Sequence, residues 1–293
     1  MAKECENQTA DSGKDGGIIM FRNKYIKVAV IALTCILLSG TIAFASRGLM
    51  RYGEDTPEEY TEDLETVETT YFPTPDEYSL DFEKSWILEH AELFPEGRAK
   101  KAKDNPELIH FMFMLGNNDT MSDDIDTLSE KEVSGNVPYL FQWDKRWGFH
   151  EYGDNNIGFS GCGPTCLAMI LAYYNKEADT TPATLADYAM DNGYYETGSG
   201  TRWAFMVEAA EAYGINSRQI SSSEIPDELS EGHPVIASVG KGHFTKSGHF
   251  IVLAGIENGT ILVHDPNNVS NSMKKWNYNK FKNEIKSAWV YVE

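Results

Sequence analysis

Positive charge is in short supply. The 293-residue chain carries 25 Lys and Arg against 45 Asp and Glu, a formal net charge of −20. Such a chain does not hold nucleic acid or an anionic membrane surface by electrostatics, because both reward a basic patch. Cysteine is scarce: four in a chain of this length make no disulfide framework. Closely spaced metal ligands are missing too. His233, His243, His249, His264 and Asp265 are scattered, and no pair has the tight helical spacing of zinc hydrolases. Neither a metal nor an organic cofactor is expected. The chain is not poor in apolar residues, however: 41% is hydrophobic and 12% aromatic, which excludes disorder throughout.

The charge is uneven. Residues 54–135 hold 23 acidic and 6 basic residues, so most of the excess sits in one stretch and the chain divides into regions. Residues 28–45 (VAVIALTCILLSGTIAFA) carry no charge. As a helix they would span about 27 Å, close to the hydrocarbon core of a bilayer. Arg22, Lys24 and Lys27 precede the run and favour an inside N-terminus, while Arg47 and Arg51 behind it weaken that bias. The run reads as a transmembrane signal anchor, or as a signal peptide cleaved after Ala43-Phe44-Ala45, with a buried core helix as the remaining alternative. Residues 1–27 are then a cytoplasmic tail or a signal n-region, and Met20 is a second candidate start. Cys35 reads as a small apolar residue within the run. Residues 46–75 are acidic, Thr-rich and punctuated by Pro. They cannot bury enough apolar surface to offset ordering entropy and read as a solvated linker.

Residues 76–136 read as a helical pre-domain and connection. Leu80, Phe82, Trp86, Ile87 and Leu93 form a rough helical stripe stopped by Pro95-Glu96-Gly97. A second short helix starts at Pro106, a residue suited to a first turn. Two helices of this length make no core alone and should dock on the larger domain at 137–293.

That domain carries the chemistry. Gly161-Cys162-Gly163-Pro164 opens a stretch that is apolar nearly all round, TCLAMILAYY, and so reads as a buried central helix. Cys162 would sit at its N-terminus, where free amide hydrogens and the positive dipole end favour the thiolate. Gly161 and Gly163 would leave room for a substrate carbonyl. A base is needed next. His249 begins GHFIVLAG, a short apolar run between glycines that reads as a buried strand. TILVHDP reads as the adjacent strand, turned near Asn258-Gly259, which brings Asp265 toward His249. A carboxylate there would hold the imidazole tautomer and stabilise imidazolium. His264 faces the other way, and His243 in a Gly-rich loop is a second candidate base. Gln142, in PYLFQW, is a candidate oxyanion donor beside the Cys162 amide. Arg202 and Trp203, after GSGT, are candidates for a cleft rim; Trp147, Trp276 and Trp289 read as packing residues.

The order Gln142, Cys162, His249, Asp265 is the papain-like one. With GYYETGSGTRWAFMVEAAEAYGI, GHPVIASV, HDPNNVSNSMKKW and a final SAWVYV, residues 137–292 resemble the C-thirty-nine-like cysteine peptidases, relatives of the double-glycine leader peptidases of bacteriocin exporters. The resemblance implies an α/β (α+β) papain-like fold with a central helix on an antiparallel sheet. It also implies Cys162 as nucleophile, His249 as base and acid, Asp265 as orienter and Gln142 in the oxyanion hole. Cys166, one turn after Cys162, belongs to the core. In the exporters the glutamine lies just ahead of the cysteine and the domain is fused to a transporter. Here it lies twenty residues ahead, so double-glycine leader cleavage is not carried over. The expectation is a thiol hydrolase of peptide or amide bonds, secreted or held at a membrane by its N-terminal segment with the catalytic domain outside. The alternatives are a peptidoglycan amidase or endopeptidase, an acyl or peptidyl transferase, and a catalytically silent surface binding module.

Overall fold

The computed structural model describes residues 80–102, 105–118 and 127–293. The readings placed on 1–27, 28–45 and 46–75 fall outside the described residues. Among the described residues no helix is long and apolar enough to cross a membrane.

Six strands form the main sheet: β1 (Asn216–Ile220), β2 (Val235–Val239), β3 (His249–Glu257), β4 (Thr260–His264), β5 (Lys275–Asn277) and β6 (Ile285–Val292). Their order is β1-β6-β2-β3-β4-β5, and every neighbouring pair is antiparallel. Successive residues of a strand go to opposite faces. Ile236, Val252, Trp289 and Tyr291 join the core of the central helix, Cys162–Asn175. Val235, Ile251, Leu253 and Val290 pack on the other side with Ile225, Leu229 and Phe281. Burial on both faces is why these strands read as unbroken apolar runs. The central helix is buried at every residue from Gly163 to Ala172 and ends where Lys176 turns left-handed, at φ 59°.

Asn258 and Gly259 join β3 to β4 with φ of 49° and 77°, the two positive angles of a tight hairpin turn. The register then slips. Thr260, Ile261 and Leu262 face Glu257, Ile256 and Gly255, but Val263 faces Leu253 and His264 faces Val252. Ala254 is thus an extra residue, a β-bulge. In an unbulged ladder, position 265 would share its face with Val252. The bulge moves it to the face of Ile251 and His249.

The helical stripe expected from Leu80 to Leu93 needs correction. The helix spans Leu80–Glu89 and buries Glu83 and Ile87, while Leu80, Phe82 and Leu93 are exposed. The Glu83 carboxylate binds His110 Nδ1 at 2.7 Å. That buried pair turns a charged residue inward beside Ile87, while Leu80 and Phe82 stay exposed. Leu93 lies in a separate 3-10 turn, Ala91–Leu93. The second helix, Pro106–Gly116, buries every residue from Leu108 to Phe113. Asn105 caps it, accepting from the Leu108 amide at 3.2 Å. Ile87, Ile109, Phe111 and Met112 share one apolar cluster with Phe141, Trp143 and Phe159. The two helices are therefore packed on the larger domain. Between them the short helix Arg98–Ala102 lies against Phe159, whose carbonyl accepts from Arg98 at 3.2 Å.

Candidate active site

Cys162 is the first residue of the central helix, and no side chain caps that terminus. The residue is half-buried and lines a cleft. Burial raises the thiol's pKa, but the hydrogen bond and positive charge of His249, with the amides of Phe250 and Gly163, outweigh this and hold it below its ordinary value. The favourable groups are thus a helix-terminal amide, a strand amide and an imidazole.

His249 begins β3. Its Nε2 binds Asp265 Oδ1 at 2.8 Å, which leaves Nδ1 for the sulfur. Burial lowers the imidazole's pKa, but the Asp265 charge and hydrogen bond, then Cys162, carry it up to about 10. Asp265 is 1% exposed and its oxygens are braced. Oδ1 also accepts from the Asn267 amide at 2.9 Å, and Oδ2 accepts from Asn271 Nδ2 at 2.8 Å. The Asp265 backbone amide donates to Ser272 Oγ at 2.8 Å. Asn271 and Ser272 were not singled out in the sequence. Their signal was the asparagine run after Asp265, in which Asn268 caps the turn of helix that holds both.

The glutamine sits beside this loop. Its backbone amide donates to the Pro266 carbonyl at 2.8 Å, and its side-chain Nε2 donates to the Gly158 carbonyl at 2.9 Å. Gln142 Oε1 is buried with no hydrogen-bond partner. One amide hydrogen is therefore committed to the turn ahead of Cys162, and a second remains on the same nitrogen.

A cleft of about 800 Å³ opens on Cys162 and His249. Trp203 lines it and is 48% exposed. Arg202 is not among the lining residues; its guanidinium lies 3.9 Å from Glu196 at the surface. The two glycines also differ from expectation. A Cβ on Gly161 would stand 2.4 Å from the Ile157 side chain, and one on Gly163 would stand 2.4 Å from Thr201 Oγ1. The missing side chains make room for packing neighbours rather than for a substrate carbonyl. His243 is exposed and bound to Glu284. His264 is buried, stacks on Tyr139 and binds the Pro138 carbonyl; burial lowers its pKa to about 4. Cys166 is buried, and burial raises its thiol well above the ordinary value. Among the described residues Glu228, Glu231 and His233 lie close enough to share an ion, but His233 Nδ1 is already bound to Glu228 at 3.0 Å, and none of the three lines the cleft.

Several lining residues carry no signal in the sequence, Arg98, Lys241 and Lys286 among them. Arg98, from the pre-domain, faces the cleft with its guanidinium 4.9 Å above the Phe159 ring. In the sequence it stands in a solvated-looking basic run, RAKKAK, and nothing local marks it.

A cysteine at the N-terminus of a buried helix, beside a histidine that opens one strand of an antiparallel sheet and a carboxylate just past the end of the next, defines a cysteine-peptidase-type fold. The chain belongs to the Peptidase_C39 like family, whose model matches residues 134–293. Solved structures with a similar fold include the peptidase domain of Streptococcus ComA, a bi-functional ABC transporter. It is 24% identical, with a TM-score of 0.38 over 45% of this chain and 91% of its own. A C39-like peptidase from Bacillus anthracis is 19% identical, with a TM-score of 0.39 over 54% of this chain and 95% of its own. A double glycine motif protease of an AMS/PCAT transporter, solved with its leader peptide, is 19% identical, with a TM-score of 0.30 over 48% and 89%. No curated protein matches the chain.

Proposed function

We propose that the protein is an extracytoplasmic thiol hydrolase that cleaves a peptide or amide bond. The observation that carries this reading is Cys162 at the N-terminus of the central helix, lining an open cleft together with His249, whose Nε2 is bound to the buried Asp265 carboxylate at 2.8 Å. The Cys162 thiolate attacks the carbonyl carbon and forms a C–S bond. The oxygen of the tetrahedral species takes the negative charge, met by the Cys162 amide and the second Gln142 amide hydrogen. The C–N bond breaks as His249 gives its proton to the leaving amine. Water then attacks the thioester, His249 accepts a proton from it, and the acid leaves as the thiolate is restored. Asp265 keeps the imidazole in the working tautomer. Trp203 forms part of the substrate wall.

Location belongs to the same proposal. Residues 28–45 carry the chain to the membrane as an anchor or signal peptide. Residues 46–75 act as a solvated spacer, and residues 76–136 precede the catalytic domain at 137–293. Substitution of Cys162→Ala is expected to abolish turnover of a peptide library and labelling by an acyl-mimicking thiol probe, with the thermal melt retained. Hydrolysis persisting in that variant would remove the proposal.

A further inference from the structure

The charge lining the cleft is opposite in sign to that of the chain as a whole. The molecule carries a formal net charge of −20, yet apart from the Cys162–His249 pair the charged residues lining the cleft are Arg98, Lys241 and Lys286 against Asp154. Asp154 is partly engaged, its carboxylate accepting from the Tyr195 hydroxyl at 3.4 Å. The three cations have no carboxylate partner among the described residues within ion-pair distance.

Arg98 is the best placed of them. It is half-buried, its ring-stacked guanidinium spending one N–H group on the Phe159 carbonyl. A guanidinium has five N–H donors in a fixed fork. Leaving a desolvated guanidinium without a counter-charge is costly, and a carboxylate offset against that fork is its best partner. Burial draws the Arg98 pKa down and the negative sulfur of Cys162 draws it back, so the cation and the reacting atom feel each other. Lys286 also lines the cleft, its stem beside Gly240, where a Cβ would meet its Cε at 2.4 Å.

We infer that the cleft selects an anionic peptide, with Arg98 taking a carboxylate next to the scissile bond and Lys241 and Lys286 extending the positive wall. The inference rests on the thiol-hydrolase reading for its chemistry but not for its electrostatics. That separation sets the test. The full-length chain is offered internally quenched peptide pools that fix one position as Asp/Glu, Asn/Gln or Lys/Arg. Acidic pools should be cleaved at least about tenfold faster than neutral ones at low salt, with the gap closing near 0.5 M NaCl as screening shortens the range of the field. The surface pair Lys241→Glu with Lys286→Glu should narrow the gap, and Arg98→Gln should close it. Preference for neutral or basic pools would overturn the inference.

A second measurement needs no turnover. Cys162 alkylation by anionic iodoacetate is compared with that by neutral iodoacetamide, using Cys162→Ala as background. The iodoacetate-to-iodoacetamide ratio should fall several-fold in Arg98→Gln and in the double lysine variant, and recover in Arg98→Lys. An unchanged ratio, or both reagents slowed equally in Arg98→Gln, would reduce Arg98 to a modulator of the thiolate and sink the inference. Should no pool be cleaved, the hydrolase reading fails on its own, and the alkylation ratio still decides the charge of the ligand.

Discussion

At the scale of single residues the site turns on where one proton rests. Asp265 is the largest upward influence on His249, whose pKa rises from 6.5 to about 10. A base with a raised pKa keeps its proton up to that value. Cys162 is held below its ordinary value, so between the two titrations thiolate and imidazolium coexist. In Asp265→Asn the main upward influence is gone, His249 gives up its proton at lower pH, and the alkaline limit of the ion pair must retreat. The expected outcome is a kcat/KM profile whose alkaline limb moves down by at least about one pH unit. The plateau should fall by about 10²–10⁴, the usual worth of positioned acid–base help. A profile with its limb still near 10 would show that another group holds the imidazolium. Much of this site was legible beforehand, because Cys162, His249 and Asp265 each stand beside a strong local signal: a helix start, a glycine-bounded strand, a proline stop. The work of Gly161 and Gly163 was not legible, because a missing side chain declares nothing about what fills its place. Here the answer is Ile157 and Thr201.

At the scale of elements the β3–β4 hairpin decides whether those residues can meet. The turn could be read from Asn258-Gly259, and antiparallel pairing followed from it. The face could not, because a two-residue turn alone sends position 265 to the side opposite His249. Ala254 corrects this by bulging, and the only written hint is Gly255 beside it, a glycine inside an otherwise apolar strand. Deleting Ala254 should therefore restore a regular ladder and separate the pair. The variant is expected to keep its far-ultraviolet spectrum while losing at least about two orders of magnitude in turnover, within the range that one positioned acid–base group supplies. Iodoacetamide reactivity at neutral pH should fall with it. Full activity in the deletion variant would mean that the loop at Asp265 sets its own direction without help from the sheet.

At the scale of the molecule the helices of residues 80–118 share a core with the C39-like domain. Their core residue is Phe111, 0% exposed, stacked on Phe149 at 4.7 Å and edge-on to Phe159 at 5.7 Å. Gly148 and Gly158 form the socket: a Cβ on either would stand within 2.9 Å or 2.3 Å of that ring. The socket is also chemical ground, because the Gly158 carbonyl is the one that holds Gln142. Asn105 makes a parallel tie, donating to the Asn267 carbonyl two residues beyond Asp265. Sequence periodicity showed that the helices needed a partner. It could not show the inward Glu83 or the reach of Arg98, because both depend on contacts with residues far along the chain. Phe111→Ala should cost about 3–5 kcal/mol, the usual loss for truncating a buried phenylalanine, read as a shift of the urea midpoint. It should also lower kcat, because the emptied socket frees the turn that anchors Gln142. Leu93→Ala, at a site 53% exposed, should change stability by no more than about 0.5 kcal/mol and leave kcat alone. A Phe111→Ala variant that loses stability but keeps full kcat would separate the pre-domain from catalysis and leave it a packing role only.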